Sequence, residues 1–203
     1  KGFASISVPS VLATLVSDKL NFPNLSMVGV DDRAASYQAV SYLIQQGHSK
    51  IAVLGGPVTS YPSMMRREGA QQAMRDAGIQ FNDNLYGLSN YDFESAYHAM
   101  NSLLARRAEF TALFAMSDVI AFGAIRALVS AGFRVPEDVS VIGFDGITMS
   151  RYCVPVMTTI VQPSEQIALQ SIELLVRQIE HGASAQTITL QPELQRGESV
   201  RAI

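Results

Sequence analysis

Short, almost wholly apolar runs alternate along this chain with longer stretches whose apolar residues recur every three or four positions. The runs are Ser10–Thr14, Ser26–Val30, Ile51–Gly55, Leu85–Leu88, Ala112–Ala115, Val139–Phe144 and Thr158–Val161. Continuous apolar character without polar alternation marks strands covered on both faces. The stretches between them read as helices. One spans about Ser36–Gln46 and stops at Gly47; another is opened by Pro62, carries Ala70, Ala73 and Ala77 at helical spacing, and stops at Gly78. Asp92 and Ser117 are suited to cap two more, and Gly132 lies past the end of the second. Pro163, at a first-turn position, leads into Ala168, Ile172, Leu175 and Ile179, with Gly182 closing that helix. Proline at the start and glycine past the end is the favoured asymmetry. Strand–helix alternation of this kind predicts right-handed βαβ units and an α/β fold with doubly wound parallel sheets.

Composition narrows the function classes. Fifteen basic and 18 acidic residues give a formal charge of −3 over 203 residues. The charge is spread evenly, with no concentrated basic face of the kind that displaces counterions from phosphates, so this chain by itself is a poor nucleic-acid binder. A content of 48% apolar residues excludes wholesale disorder. The single cysteine, Cys153, excludes an internal disulfide and a cysteine-based zinc cluster. Thr111–Phe133 is the most apolar long segment, but Asp118 and Arg126 interrupt it. Gly2–Ser17 is uncharged, yet Pro9 and its serines make a poor signal-peptide core. The expected location is therefore the cytoplasm. A first residue of Lys1 rather than Met suggests a piece of something longer.

In an open α/β sheet, ligands bind outside the carboxyl ends of the strands. Those ends are followed here by Asp31 and Asp32, by Gly56, Ser60, Tyr61, Pro62, Arg66 and Arg67, by Tyr91, by Ser117 and Asp118, by Asp145, and by Gln162. Carboxylates accept from paired hydroxyls, a guanidinium donates in a fork, and an aromatic ring covers an apolar C–H face. Such a rim suits a small polyhydroxylated molecule. Each residue also has a plainer use: Asp118 favours a helix N-terminus electrostatically, Asp31 and Asp32 suit a turn or cap, and Arg67 suits a solvated helix face. Asp145 follows an apolar strand, where a charge needs a partner. The glycine-rich fingerprints of dinucleotide and nucleotide binding and the serine-nucleophile elbow are missing, and three scattered histidines show no metal spacing. No enzymatic activity and no cofactor are expected.

The segments Val28–Asp32, Tyr42–His48, Ile51–Pro57, Arg66 with Gly69, Thr111–Asp118, Val135–Asp145 and Thr158–Pro163 stand in an order that resembles the lactose/galactose-repressor (LacI/GalR) family of bacterial transcription regulators. The Val135–Ser140 block and the Thr158–Ile160 run favour these repressors over periplasmic sugar-binding proteins of the same architecture, which remain the alternative. A small enzyme using Asp145 and Asp31 as an acid/base pair is a third reading. The resemblance implies a periplasmic-binding-protein-like, two-lobed effector domain that forms a homodimer. Effector bound between the lobes would alter operator affinity at a helix-turn-helix headpiece absent from this chain. It divides the chain into 1–30 with 163–189, a remnant of an incomplete N-terminal lobe, and 31–162 with 190–203, a C-terminal lobe. By the same resemblance Asp31 or Asp32, Arg66, Tyr91, Asp145 and Gln162 contact the effector, and Ser60 and Pro62 lie where residues vary with its identity. Ser117 stands where many sugar-responsive members have asparagine. The implied effector is a sugar or derivative, with a nucleobase as the other option. Arg66→Ala and Asp145→Ala are both expected to abolish its binding while leaving the fold.

Overall fold

The computed structural model describes residues 7–203; residues 1–6, which open both the Gly2–Ser17 stretch and the 1–30 segment, lie outside the described residues. The chain divides into two compact units, Lys1–Asp31 with Gln162–Pro192, and Asp32–Val161 with Glu193–Ile203.

The smaller unit is a three-stranded parallel sheet covered by one helix. Strands β1 (Ser10–Ala13) and β8 (Thr187–Leu190) flank β2 (Leu25–Val30), and helix α5 (Ser164–His181) packs on β1 and β2. Val28, Ile167 and Leu174 form its core, with Val11, Ile188 and Leu190 packed around them. Pro163 stands one position earlier than expected, at the N-cap of α5, and Gly182 ends that helix in the left-handed conformation (φ 62°).

The larger unit places the chemistry. Its elements are α1 (Asp32–Gln45), β3 (Ile51–Gly55), α2 (Tyr61–Asp76), β4 (Tyr86–Leu88), α3 (Phe93–Ala105), β5 (Ala112–Ala115), α4 (Asp118–Ser130), β6 (Ser140–Asp145), β7 (Thr158–Val161) and β9 (Glu193–Gln195). The six strands run in the order β4-β3-β5-β6-β7-β9, all parallel except β9, which pairs antiparallel with β7. The chain leaves β3 toward β4 and returns past β3 to β5, so the winding direction reverses between β3 and β5. Right-handed crossovers then put α2 on one face and α3 and α4 on the other. Helix α1 packs against α2, and α3 against α4. Leu54, Leu113, Phe114, Val141, Ile142 and Phe144 have essentially no exposed surface, as wholly apolar parallel strands require.

Three expectations are corrected. Helix α1 starts at Asp32 rather than Ser36. Leu85 belongs to a short 3-10 turn capped by Asn82, so β4 begins at Tyr86. The seven apolar runs miss two strands: β8 completes the smaller sheet and β9 closes the edge of the larger one.

Candidate functional site

The carboxyl ends of β3, β5 and β6 converge on one guanidinium in the larger unit. Ser60 accepts a hydrogen bond from the Ser63 amide at 3.5 Å and caps α2; Pro62 fixes the first turn. That start places Arg66 on the second turn, directed at the switch between β3 and β5 where open sheets bind ligands. Arg66 is 6% exposed. Its Nε donates to Asp32 Oδ1 at 2.7 Å, and its Nη1 donates to the Met116 carbonyl after β5 and lies 3.5 Å from Asp145 Oδ1 at the end of β6. The Phe144 ring lies 3.7 Å beneath the guanidinium carbon. Asp32 is even more buried than the arginine, whereas the Asp145 side chain is 28% exposed. Asp145 thus presents the accessible carboxylate of the trio, with a backbone φ of 108° that non-glycine residues rarely adopt.

Tyr91 also has positive φ, 61°. Its ring lies flush on Gly56, where a Cβ would fall 2.1 Å from the ring, so the aromatic shelf after β4 requires glycine after β3. The Tyr91 hydroxyl is buried without a hydrogen-bond partner. The loop carrying it is tied down by Ser89, whose amide and hydroxyl both donate to the Gly55 carbonyl. Ser117 caps α4, accepting from the Ile120 amide at 3.1 Å. Asp31 and Gln162 belong to the smaller unit. Among the expected residues, then, Asp32 and Asp145 both meet Arg66; Ser60, Pro62 and Ser117 set helix starts; Tyr91 forms a separate shelf on Gly56.

Sequence reasoning placed Asp118 on the rim but gave it only a helix-start role. It has no exposed surface. Oδ1 accepts from the Thr159 hydroxyl at 2.6 Å, and Oδ2 accepts from the Ile147 amide at 2.8 Å. Burial pushes its pKa up to about 6, against the opposing pull of the Thr159 hydroxyl and the Ile147 amide. A signal was present: α4 is apolar nearly all round, so it had to be buried, and a charge at its start needed an internal partner. Phe144 was read only as core, although its ring supports the arginine. Among the described residues no cluster of histidine, cysteine, aspartate and glutamate could hold a metal ion, and no helix is long and apolar enough to cross a membrane.

A parallel α/β unit with a charged cluster at its switch point defines a ligand-binding domain. The family model described as periplasmic binding protein-like domain matches residues 40–200. The HTH-type transcriptional regulator MalR of Clostridium butyricum is 35% identical over 198 residues, 97% of this chain and 59% of that protein. A sugar-binding LacI-family transcriptional regulator from Escherichia coli, solved with phosphate, is 31% identical at a TM-score of 0.80, covering 88% of this chain and 69% of that one. The complex of transcriptional regulator CelR with cellobiose is 32% identical at a TM-score of 0.84, covering 90% and 56%. The chain belongs to the periplasmic binding protein-like domain family, in its LacI branch of transcription regulators. It spans a little over half the length of the curated relatives it matches.

Proposed function

We propose that this chain is the effector-sensing region of a cytoplasmic LacI-type repressor, a binding module rather than an enzyme. It takes a neutral, polyhydroxylated effector, with a sugar favoured over a nucleobase, and operator DNA is contacted by a helix-turn-helix headpiece elsewhere in the protein. The carrying observation is Asp145, an accessible carboxylate held at the carboxyl end of β6 against buried Arg66. Arg66 faces both Asp32 and Asp145, two carboxylates against one guanidinium. A carboxylate accepts from vicinal hydroxyls, whereas a sugar acid would bring a further anion into this field. Switching requires that the effector bind one conformation better than the other. The cellobiose complex of a structural neighbour supports a sugar for that protein, and we extend it to this one. A homodimer is part of the proposal; exposed Met149, Tyr152 and Val154, in the loop after β6, supply an apolar surface for it.

The test is a thermal-shift series with neutral sugars, the matching sugar acids and nucleobases, since a ligand selective for the folded state raises the melting temperature. A neutral sugar should shift wild-type protein and leave Asp145→Ala unmoved. Equal shifts in both, or a response confined to acids or nucleobases, would overturn the assignment.

A further inference from the structure

Asp118 costs more than a helix start requires. A carboxylate at the first turn gains from the helix dipole while still in water, yet this one is withdrawn from solvent entirely and carries a raised pKa for it. Its acceptor atoms are spent on one place. From the start of α4 the side chain reaches across β6, passing so close to Gly143 that a Cβ there would lie 2.2 Å from Oδ1. Beyond β6 it takes the Ile147 amide on Oδ2, the Gly146 amide adds to the same hold, and Thr159 on the neighbouring strand fixes Oδ1. The segment so gripped begins with Asp145 and Gly146, consecutive residues at φ 108° and 71°. A non-glycine residue keeps such a conformation only when its surroundings over-determine it.

We propose that Asp118 is a positioning residue for effector binding: out of the effector's reach, it holds the 145–147 turn so that the Asp145 carboxylate meets Arg66 and faces outward. This rests on the reading of Asp145 given above, and it predicts that the acceptor pattern, not the charge, matters. In Asp118→Asn the side-chain carbonyl still accepts from Ile147 and the amide donates to Thr159; in Asp118→Ala both bonds vanish.

Amide hydrogen exchange of the full 203-residue chain decides the positioning claim without an effector. Exchange at Gly146 and Ile147 should rise by at least about tenfold in Asp118→Ala, stay near wild type in Asp118→Asn, and leave residues 140–144 protected in both. Thr159→Val, which removes one tether and keeps the shape, should give an intermediate rise. Unchanged exchange at Ile147 in Asp118→Ala, or a uniform rise across the larger unit in either of the milder variants, would overturn it. Calorimetric titration with cellobiose is the second arm: affinity lost in Asp118→Ala and kept in Asp118→Asn supports the proposal, and equal affinity in wild type and Asp118→Ala refutes it. Should wild type bind no sugar, the exchange arm still decides the positioning claim, and the loss falls on the sugar reading instead.

Discussion

Truncating Arg66 to alanine breaks its buried ion pair with Asp32, which is 4% exposed, and removes the cation above Phe144. Breaking a buried ion pair by removing one member costs about 3–5 kcal/mol. Arg66→Ala should therefore weaken the fold as well as effector binding: chemical denaturation should show a loss of that size. Asp145→Asn, at a half-buried position, should cost under about 1 kcal/mol. Residue type and spacing placed Asp32, Arg66 and Asp145 on one rim; which of them is accessible was not legible, because it depends on the helix that covers the guanidinium. His48 adds a pH dependence. Its Nε2 donates to the Arg201 carbonyl, so Nδ1 accepts from the Thr111 hydroxyl and the ring is neutral, its pKa lowered by burial. As pH falls below the ordinary 6.5 the unfolded chain takes up that proton first, and stability drops. Asp118 works in the opposite sense: between about 6 and 3.8 the folded state holds a proton that the unfolded state does not, and stability gains. Melting temperature from pH 7 to pH 5 should fall more steeply in Asp118→Asn than in wild type.

The caps carry the helices and were readable as caps. Asp92 and Ser117 both accept the backbone bond expected of them. Ser117→Ala should lower stability by about 1 kcal/mol, measured by urea denaturation. A larger loss would show that the hydroxyl does more than cap. The apolar runs of β3, β5, β6 and β7 were legible because a strand buried on both faces has no polar residue to dilute the pattern. The run of β8, Thr187–Leu190, alternates threonine with Ile188 and Leu190 and is half exposed, while β9 is three residues long, so neither rose above its surroundings. The start of α1 at Asp32 was hidden for another reason. Its first turn serves the Arg66 pair, and a charged first turn reads equally well as the end of a loop.

At the scale of the molecule the ordered blocks resembled the LacI family, and the family assignment agrees. The helix of the smaller unit has two faces: Ile167 and Leu174 are buried, while Leu169, Ile172, Val176 and Ile179 are exposed at alternating spacings of three and four. An apolar stripe of that extent attracts hydrophobic probes. The folded chain should enhance the fluorescence of a hydrophobic dye, and Ile172→Gln with Ile179→Gln should remove most of the signal without lowering the melting temperature. Retention of the signal would place the sticky surface elsewhere.

The closing segment, Glu193–Ile203, works as a clasp on the larger unit. Strand β9 covers β7, the Ser199 hydroxyl donates to the Val141 carbonyl and accepts from the Thr158 amide, and the Ile203 amide reaches the Gln46 carbonyl. Parts of that unit far apart in sequence are thus stitched together only once Glu193–Ile203 is in place. A ribosome-bound chain halted at Val161 would hold every element around Arg66 yet leave the β7 edge and the His48 pocket open. Synthesis of Glu193–Ile203, rather than of the charged cluster, would complete the larger unit.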